Sequence, residues 1–488
     1  MTFNSWEFLL FYPTVALLYF FLPKKCKWPM LLVASYFFYM CYQAELVFLI
    51  LATTLVSWIA SRIIEKSEKP AVRRTFLVIT LVVCLGVLFF YKYFNFLADS
   101  AVGLIRLFGG DPEPVMLDLI LPVGISFYTF QTLSYVIDVY RAKTATEPNF
   151  FFYALYVSFF PQLVAGPIER PDNLMPQLRE PHPWDRANAI KGAKHMIVGF
   201  FKKIVVADLL SVYVNAVYNH VEEATGFGVI LATTLFAVQI YCDFSGYTDI
   251  AIGCARIMGI RLMKNFDHPY MATSIKEFWG RWHISLSTWF RDYLYFPLGG
   301  SRCKKWRHLM NLMIVFLVSG LWHGANWTYV IWGAIHGAYQ IVGQLTQGPR
   351  NRLLQKCGYT KEHPAVMWVR RVLTFLLVDF SWILFRANNL REAGVLLGKL
   401  FGGGWGAGAS LSDTLGAMGL TLVPILMTVF SILTLILIDR LLTYGDEPDG
   451  SAVLTRNGAF VLFIWMILFS WAVLLSHDMT STFIYFQF

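Results

Sequence analysis

Charged side chains are scarce in this 488-residue chain, in which only 15% of the residues are Asp, Glu, Lys or Arg. Soluble globular proteins carry about 25% charged residues, because a polar surface has to cover the core. Here 57% of the residues are hydrophobic and 17% are aromatic. Apolar runs such as 46–60, 420–438 and 459–475 approach the roughly 20 residues that cross a bilayer. The sequence therefore predicts an integral membrane protein that contacts membrane lipid.

The sequence also lacks the motifs that mark several common kinds of site. No GxGxxG, Walker A or GxSxG pattern is present, so neither a nucleotide-binding loop nor a serine-hydrolase turn is predicted. The seven cysteines show no CxxC pairing or zinc-ligand spacing, which favours packing roles over disulfides or metal sites. We therefore predict no bound cofactor and no metal ion.

The formal charge of +9 comes from basic residues in short clusters between apolar runs. These clusters are Lys24, Lys25 and Lys27; Lys66, Lys69, Arg73 and Arg74; and Arg302, Lys304, Lys305 and Arg307. This pattern is typical of the excess of positive charge on the cytosolic side of membrane proteins, and no nucleic-acid partner is predicted. We expect the loops at 23–28, 65–74 and 302–307 to face the cytosol, with the N-terminus outside.

The N-terminal third of the chain is predicted to form ordinary membrane-spanning helices. Apolar segments separated by short polar links occupy residues 6–22, 29–43, 45–63 and 75–92. After Gly109 the hydrophobic segments are interrupted by Gly, Pro and ionisable residues, as in 121–141 and 159–171. Irregular backbone at membrane depth persists only where protein or water satisfies its polar groups. The middle of the chain is therefore predicted to be a packed core that lines a cavity.

Polar and apolar segments alternate along the rest of the chain. Residues 171–186 hold four prolines and are predicted to be a polar loop, whereas 264–308 is too polar for a simple span and lies at the interface or re-enters the membrane. Apolar runs continue at 309–321, 327–345, 372–386, 420–438 and 458–475, with links at 402–408 and 443–450. We predict one all-α polytopic domain over 1–488 with about eleven spanning helices plus re-entrant or interfacial helices. N-terminal spans occupy 1–100, a catalytic core 120–390 and C-terminal spans 410–488.

His323 is the leading candidate for a reactive group. An ionisable side chain within an apolar membrane segment is costly, so a functional role is the first hypothesis. His323 stands between Gly320 and Gly324, so a broken or closely packed helix would present its imidazole to a cavity. A neutral imidazole can accept a proton from a hydroxyl group. The alternative is a packing histidine bonded to a backbone carbonyl. Trp322 and Asn326, close to it in sequence, are possible supporting residues.

Two further histidines are candidates for a role at the same site. His283, in RWHISLS (281–287), could orient a donor or help to stabilise an oxyanion. The competing interpretation places it in an interfacial aromatic belt with the neighbouring tryptophans. For His336, packing or a structural hydrogen bond is at least as good an explanation as catalysis.

The charged residues of the middle region allow both functional and structural interpretations. Asp243 and Asp249 are candidate supporting carboxylates, and one of them could instead form a structural ion pair with Arg256 or Lys202. Three basic residues near His283 could hold the phosphates of a cytosolic donor, although cytosolic positive charge alone explains them equally well. These three are Lys276, Arg281 and Arg291.

Four ordered motifs carry a resemblance to a known family. They are FFPQLVAGPIER (159–170), YCDFSGYTDIAIGCARIMG (241–259), FWGRWHISLSTWFRDYLYFPLGG (278–300) and SGLWHGANW (319–327). With these motifs the chain closely resembles the membrane-bound O-acyltransferases, in particular the bacterial branch that includes the alginate O-acetyltransferase membrane subunit. The resemblance covers most of the chain from about residue 5 to 390 and is weaker beyond about 400.

The resemblance implies an enzyme of the cell membrane that crosses it several times. It would move an acetyl group from a cytosolic thioester, acetyl-CoA or an acyl carrier, to an extracytoplasmic polysaccharide. The family's essential histidine matches His323, and its second histidine matches His283. A separate extracytoplasmic esterase-like (SGNH) transferase is the implied partner, and a central tunnel with a histidine at its narrow point would suit the transfer. Transfer of D-alanine to teichoic acid is the nearest competing activity, and a proton-coupled transporter is the alternative from another class.

Overall fold

The computed structural model describes residues 1–402, 411–441 and Met466. Every regular element in these residues is helical, which confirms the prediction of an all-α protein. The chain divides into two compact units. Unit 1 comprises Met1–Gly199 and Tyr247–Met263, and unit 2 comprises Phe200–Gly246 and Lys264–Phe488 as far as they are described.

Unit 1 contains ten helices from the N-terminal part of the chain, together with the last part of a long one that begins in unit 2. The ten are α1 (Trp6–Phe21), α2 (Lys24–Met40), α3 (Val47–Lys66), α4 (Pro70–Leu88), α5 (Phe94–Leu107), α6 (Ile125–Tyr140), α7 (Phe150–Ser158), α8 (Phe160–Leu163), α9 (Pro171–Arg179) and α10 (Arg186–Phe200). Nearly all of α6 is buried. A helix that is buried on every side forms a core rather than a surface.

The prediction of a polar loop over 171–186 is wrong for its first half, which forms α9. Pro171 occupies the first helical position. Proline suits that position because its fixed φ is already helical and the N–H that it lacks would have had no intrahelical partner. Proline residues therefore do not exclude a helix when one of them starts it.

Unit 2 contains the remaining helices. They are α11 (Asp208–Tyr218), α12 (Gly226–Ile257, which ends in unit 1), α13 (Ile275–Arg281), α14 (Ile284–Phe290), α15 (Lys305–His323), α16 (Trp327–Leu345), α17 (Gln347–Lys356), α18 (Pro364–Arg386), α19 (Leu390–Phe401), α20 (Leu411–Ala417) and α21 (Leu422–Leu441). Two π-helical segments, Phe201–Ala207 and Arg291–Tyr295, directly precede α11 and follow α14. Short π-helical insertions occur frequently at functional sites.

Three of the described helices are long and apolar enough to cross a membrane. They are Ala44–Lys66, which is α3 with a short 3₁₀ turn before it; Pro70–Leu107, in which the π-helical segment Phe89–Tyr93 joins α4 to α5; and Gly226–Ile257, which is α12. The pair Leu411–Ala417 and Leu422–Leu437 would form a fourth span, bent by 82°. The predicted count of about eleven is not confirmed, because other apolar helices such as Trp6–Phe21 are shorter than the roughly 20 residues that a span needs. The predicted span at 458–475, apart from Met466, and the link at 443–450 lie outside the described residues, as does most of the link at 402–408.

The polar segment 264–308 forms no long helix. Its two α-helices, α13 and α14, have seven residues each, α14 continues into the π-helical segment Arg291–Tyr295, and α15 begins near the end of the segment at Lys305. Even the continuous stretch from Ile284 to Tyr295 is only about 18 Å long, which is short of the hydrocarbon thickness. The expectation that this segment contains no simple span is confirmed.

Candidate active site

A very close crossing of α15 and α16 positions His323. At the crossing Gly320 faces Gly333, and a methyl group added to Gly320 would overlap the carbonyl oxygen of Tyr329 and lie 3.2 Å from the Gly333 Cα. A methyl group on Gly333 would overlap the carbonyl oxygen of Phe316 in the same way. Only glycine at both positions allows this approach. The crossing fixes the end of α15, where His323 is the last helical residue.

Aromatic rings surround the imidazole of His323, which is 2% exposed. The rings of Trp322 and Trp332 each have their centroids 5.1 Å from it, and the ring of Phe385 lies 5.4 Å away. All three meet the imidazole at steep angles, with an edge directed at a face. These contacts hold the imidazole in one orientation and keep bulk water away from it. Trp332 and Phe385 were not identified from the sequence, because they lie on α16 and α18 without any distinguishing motif.

His283 has an unusual backbone conformation immediately before α14. Its φ and ψ are 45° and 55°, in the left-handed region, which costs a residue with a Cβ about 1–3 kcal/mol. The buried side chain of Asn265 stabilises this turn, since its Oδ1 accepts hydrogen bonds from the Ser285 amide at 3.2 Å and hydroxyl at 2.6 Å. The backbone carbonyl of Asn265 accepts from the Ile284 amide at 2.9 Å. Asn265 is not predicted from the sequence, because it lies 20 residues before Ser285 and no sequence pattern indicates a contact between the two.

The two predicted histidines lie next to each other. The ring centroids of His283 and His323 are 6.4 Å apart, and the Trp322 ring contacts both. Phe244 packs edge-on against His283 with centroids 4.7 Å apart. Hydrogen-bonding atoms reach about 3 Å, so two imidazoles at this separation can both contact one small reacting group. The structure thus brings together two histidines from motifs that are 40 residues apart in the sequence. The chemical role of each histidine stays a prediction.

His336 is buried and fully hydrogen-bonded. Its Nδ1 accepts from the indole N–H of Trp279 at 3.2 Å, and its Nε2 lies 2.9 Å from the hydroxyl of Ser381. Its ring lies 4.9 Å from that of Trp332, which separates it from His323. These contacts connect α13, α16 and α18.

The two predicted carboxylates fall in different units. Asp243 belongs to unit 2, where the ammonium group of Lys203 lies 2.7 Å from it and 2.7 Å from Asp208, and all three side chains are almost completely buried. The sequence had suggested Lys202 or Arg256 as partners. Lys203 lies in the π-helical segment Phe201–Ala207, where helical periodicity gives no guide to direction. Asp249 is buried in unit 1, six residues further along α12.

The remaining predicted residues have structural contacts of their own. Asn326 caps α16 by accepting from the Thr328 amide at 3.0 Å, and it donates to the Asn388 carbonyl at 2.7 Å. Arg281 pairs with Glu277 at 2.8 Å and Arg291 with Asp292 at 2.8 Å. Lys276 is exposed. Within the described part of the chain, no three His, Cys, Asp or Glu side chains are grouped so as to hold a metal ion.

Comparison with known proteins identifies the family. Residues 139–376 match the membrane-bound O-acyltransferase family. The chain is 36% identical to the "probable alginate O-acetylase" of Pseudomonas putida over 505 residues, which cover all of both chains. It is 40% identical to the protein of the same name from Pseudomonas aeruginosa over 396 residues, covering 80% of this chain and 73% of the relative.

A relative with a different polymer in its name matches nearly as much of the chain. The peptidoglycan O-acetyltransferase of Helicobacter pylori is 32% identical over 426 residues, which cover 80% of this chain and 78% of that protein. The resemblance predicted from the four sequence motifs is therefore confirmed. The chain belongs to the membrane-bound O-acyltransferase family, and it is a membrane-embedded O-acyltransferase.

Proposed function

We propose that this enzyme moves an acetyl group from a cytosolic thioester through the cell membrane to hydroxyl groups of an extracytoplasmic polysaccharide. The pairing of His283 with His323 inside an aromatic enclosure is the observation that carries this proposal. The names of the relatives, which specify O-acetylation of alginate and of peptidoglycan, favour an acetyl group and a carbohydrate acceptor. The protein crosses the cell membrane several times in this proposal, and a separate esterase-like transferase outside the membrane passes the acetyl group to the polymer.

The proposed reaction needs one proton acceptor and one hydrogen-bond donor. The acceptor hydroxyl, which belongs either to the esterase-like transferase or to the polysaccharide, attacks the carbonyl carbon of the thioester while His323 takes the hydroxyl proton. The carbon–sulfur bond then breaks, the ester remains on the acceptor oxygen, and His323 returns the proton to the departing thiolate. His283 donates a hydrogen bond to the oxyanion that forms between these two steps. A thioester is already activated, so positioning the two substrates supplies much of the remaining acceleration.

Acetyl-CoA is the proposed direct donor. Its phosphates would meet the basic residues of the segment around α13 and α14. Because Arg281 and Arg291 already have carboxylate partners, exposed Lys276 is the residue of that predicted group with the best access to a phosphate. A carrier-protein thioester gives the same chemistry, and a comparison of the two donors with the purified enzyme distinguishes them.

Substitution of His323 tests the proposed mechanism. His323→Ala should insert and bind the donor normally but lose about 10²–10⁴-fold in acetyl transfer, the usual contribution of a positioned acid–base group. His323→Gln should also fail, because an amide cannot accept the proton. In the same series His283→Ala should keep the fold and lower transfer severely. The measurements are thiol release from acetyl-CoA by enzyme in proteoliposomes, acetyl content of the extracellular polymer and thermal stability.

His220→Gln serves as the matched control, since His220 is an exposed histidine of unit 2. It should transfer acetyl groups at the wild-type rate. A stable His323→Ala protein with normal transfer would eliminate His323 as the base. If instead His323→Gln restores transfer and His323→Ala only lowers stability, the histidine has a structural role.

A further inference from the structure

A chain of hydrogen bonds runs from Trp279 through His336 and Ser381 to the Val378 carbonyl, and the direction of each bond is fixed. The indole N–H of Trp279 can only donate, so the Nδ1 of His336 at 3.2 Å has to be the unprotonated, accepting nitrogen. The hydroxyl of Ser381 donates to the Val378 carbonyl at 2.6 Å, so its oxygen is free to accept from His336 Nε2–H at 2.9 Å. Every hydrogen in the chain is therefore assigned, and His336 is held as the neutral tautomer that is protonated on Nε2.

This assignment excludes a proton-carrying role for His336 in the arrangement observed. Protonation of Nδ1 would direct its new N–H at the N–H of Trp279, and both partners would lose their hydrogen bond. The chain begins at an indole, which has no proton to release, and ends at a backbone carbonyl, which cannot pass one on. A buried polar group that loses its partner is costly, so the protein resists any such change.

The chain also connects the elements that carry the two reactive histidines. Trp279 lies on α13, four residues before His283, and Ser381 lies on α18, four residues before Phe385. His336 itself is one helical turn after Trp332 on α16, with ring centroids 4.9 Å apart. Trp332 and Phe385 are two of the rings that contact the imidazole of His323.

We propose that Trp279, His336 and Ser381 form a clamp that holds α13, α16 and α18 together and thereby positions Trp332, Phe385 and His323. His336 is a positioning residue in this clamp and exchanges no proton during the reaction. The inference rests on the proposed role of His323 as the base. His336 thus positions the site, whereas His283 and His323 are proposed to contact the reacting groups.

The same substitution at two histidines tests the clamp. Glutamine offers one accepting oxygen and one donating NH₂ group, as the neutral imidazole of His336 does. His336→Gln should therefore retain most of the wild-type kcat, whereas His336→Ala should lower kcat by up to about 10²-fold through misplacement of the site. Ser381→Ala removes the acceptor of Nε2–H and should lower kcat by a smaller factor. The donor KM for acetyl-CoA should change little in all three variants.

Two readouts separate positioning from proton transfer. The pH profile of kcat in His336→Gln should superimpose on that of the wild type, and ¹⁵N NMR of histidine-labelled enzyme should show His336 as the Nε2-protonated tautomer. A folded but inactive His336→Gln protein, a shifted pH profile or an Nδ1-protonated His336 would each overturn the clamp. Should His336→Gln fail to fold, the tautomer measurement and Ser381→Ala decide alone. Retained activity in His323→Gln would refute the proposed base, whereas the tautomer result stands independently of it.

Discussion

Each unit of this protein contains a crossing of two helices at a pair of glycines, and His323, the proposed base, lies beside one of the two crossings. In unit 1, Gly192 on α10 faces Gly253 on α12, and a methyl group on either would lie 2.6 Å from the carbonyl oxygen of the other. In unit 2, Gly320 on α15 faces Gly333 on α16. The backbones approach closely in both crossings, and slightly more closely in unit 2.

The two crossings differ in the side chains that lie beside them. Met196 and Ile257, both apolar, lie against the glycines of unit 1. In unit 2, His323 is three residues beyond Gly320, at the point where α15 ends. The same packing arrangement thus stabilises a helix pair in one unit and sets the location of an imidazole in the other. A substitution at the first should change stability, and one at the second should change the reaction as well.

Gly320→Ala should show the largest effect. The added methyl group forces α15 and α16 apart, and a displacement of about 1 Å at a reacting group can cost about 10²-fold in rate. Acetyl transfer per folded molecule is the measurement. Gly343→Ala on α16 is the matched control, because a methyl group there meets nothing within 4 Å, and it should transfer at the wild-type rate. Equal rates in the two variants would mean that the crossing does not position His323.

Lys203→Met tests the contribution of buried charge to the stability of unit 2. The substitution removes the Lys203 ammonium group from two buried carboxylates, Asp208 and Asp243, and breaking a buried ion pair costs about 3–5 kcal/mol. The midpoint of thermal unfolding in detergent should fall markedly. The triple variant Lys203→Met, Asp208→Asn, Asp243→Asn should recover much of the loss. Glu169→Gln in unit 1 should cost less, because an amide oxygen can still accept from Met263 or Asn173. A Lys203→Met protein as stable as the wild type would contradict the charge argument.

Gly192→Ala should have the smallest effect on the reaction. Overpacking costs about 1–3 kcal/mol of stability, so the protein should unfold at a lower temperature. Acetyl transfer per folded molecule should remain unchanged, since the apolar neighbours of Gly192 take no part in the reaction. Gly103→Ala, where nothing lies within 4 Å of the added methyl, is the control for stability. A loss of transfer as large as that in Gly320→Ala would remove the distinction between the two crossings.

The all-α class and both paired histidines could be predicted from the sequence, because each depends on local information. Apolar composition indicates helices in a membrane, and the glycine frame of His323 is visible in a few residues of sequence. The helix α9 is not predicted, because four prolines within 171–186 usually indicate a loop, whereas Pro171 lies at the start of the helix and Pro176 within it. The count of about eleven spans is not confirmed, since an apolar run can form a helix that is shorter than a bilayer is thick, as α1 does.

The contacts that support the site were beyond prediction for a different reason. Ser381 lies 45 residues after His336, and Asn265 lies 20 residues before Ser285. Only the packed fold brings these groups together. The choice of Lys203 rather than Lys202 as the partner of Asp243 depends on a π-helical segment, whose hydrogen-bond pattern rotates the side chains away from the ordinary helical phase.

The fixed direction of the chain from Trp279 through His336 to Val378 has a bioenergetic consequence. A cell membrane that stores energy as a proton gradient is damaged by any continuous path along which protons can hop. An enzyme that transfers a proton between two substrates inside that membrane needs a reactive imidazole without such a path on either side. The rings of Trp332 and Phe385 beside His323 cannot carry protons, and the polar chain through His336 ends at the Val378 carbonyl. This chain therefore offers protons no continuous path, and the acetyl transfer proposed above would not discharge the gradient along it.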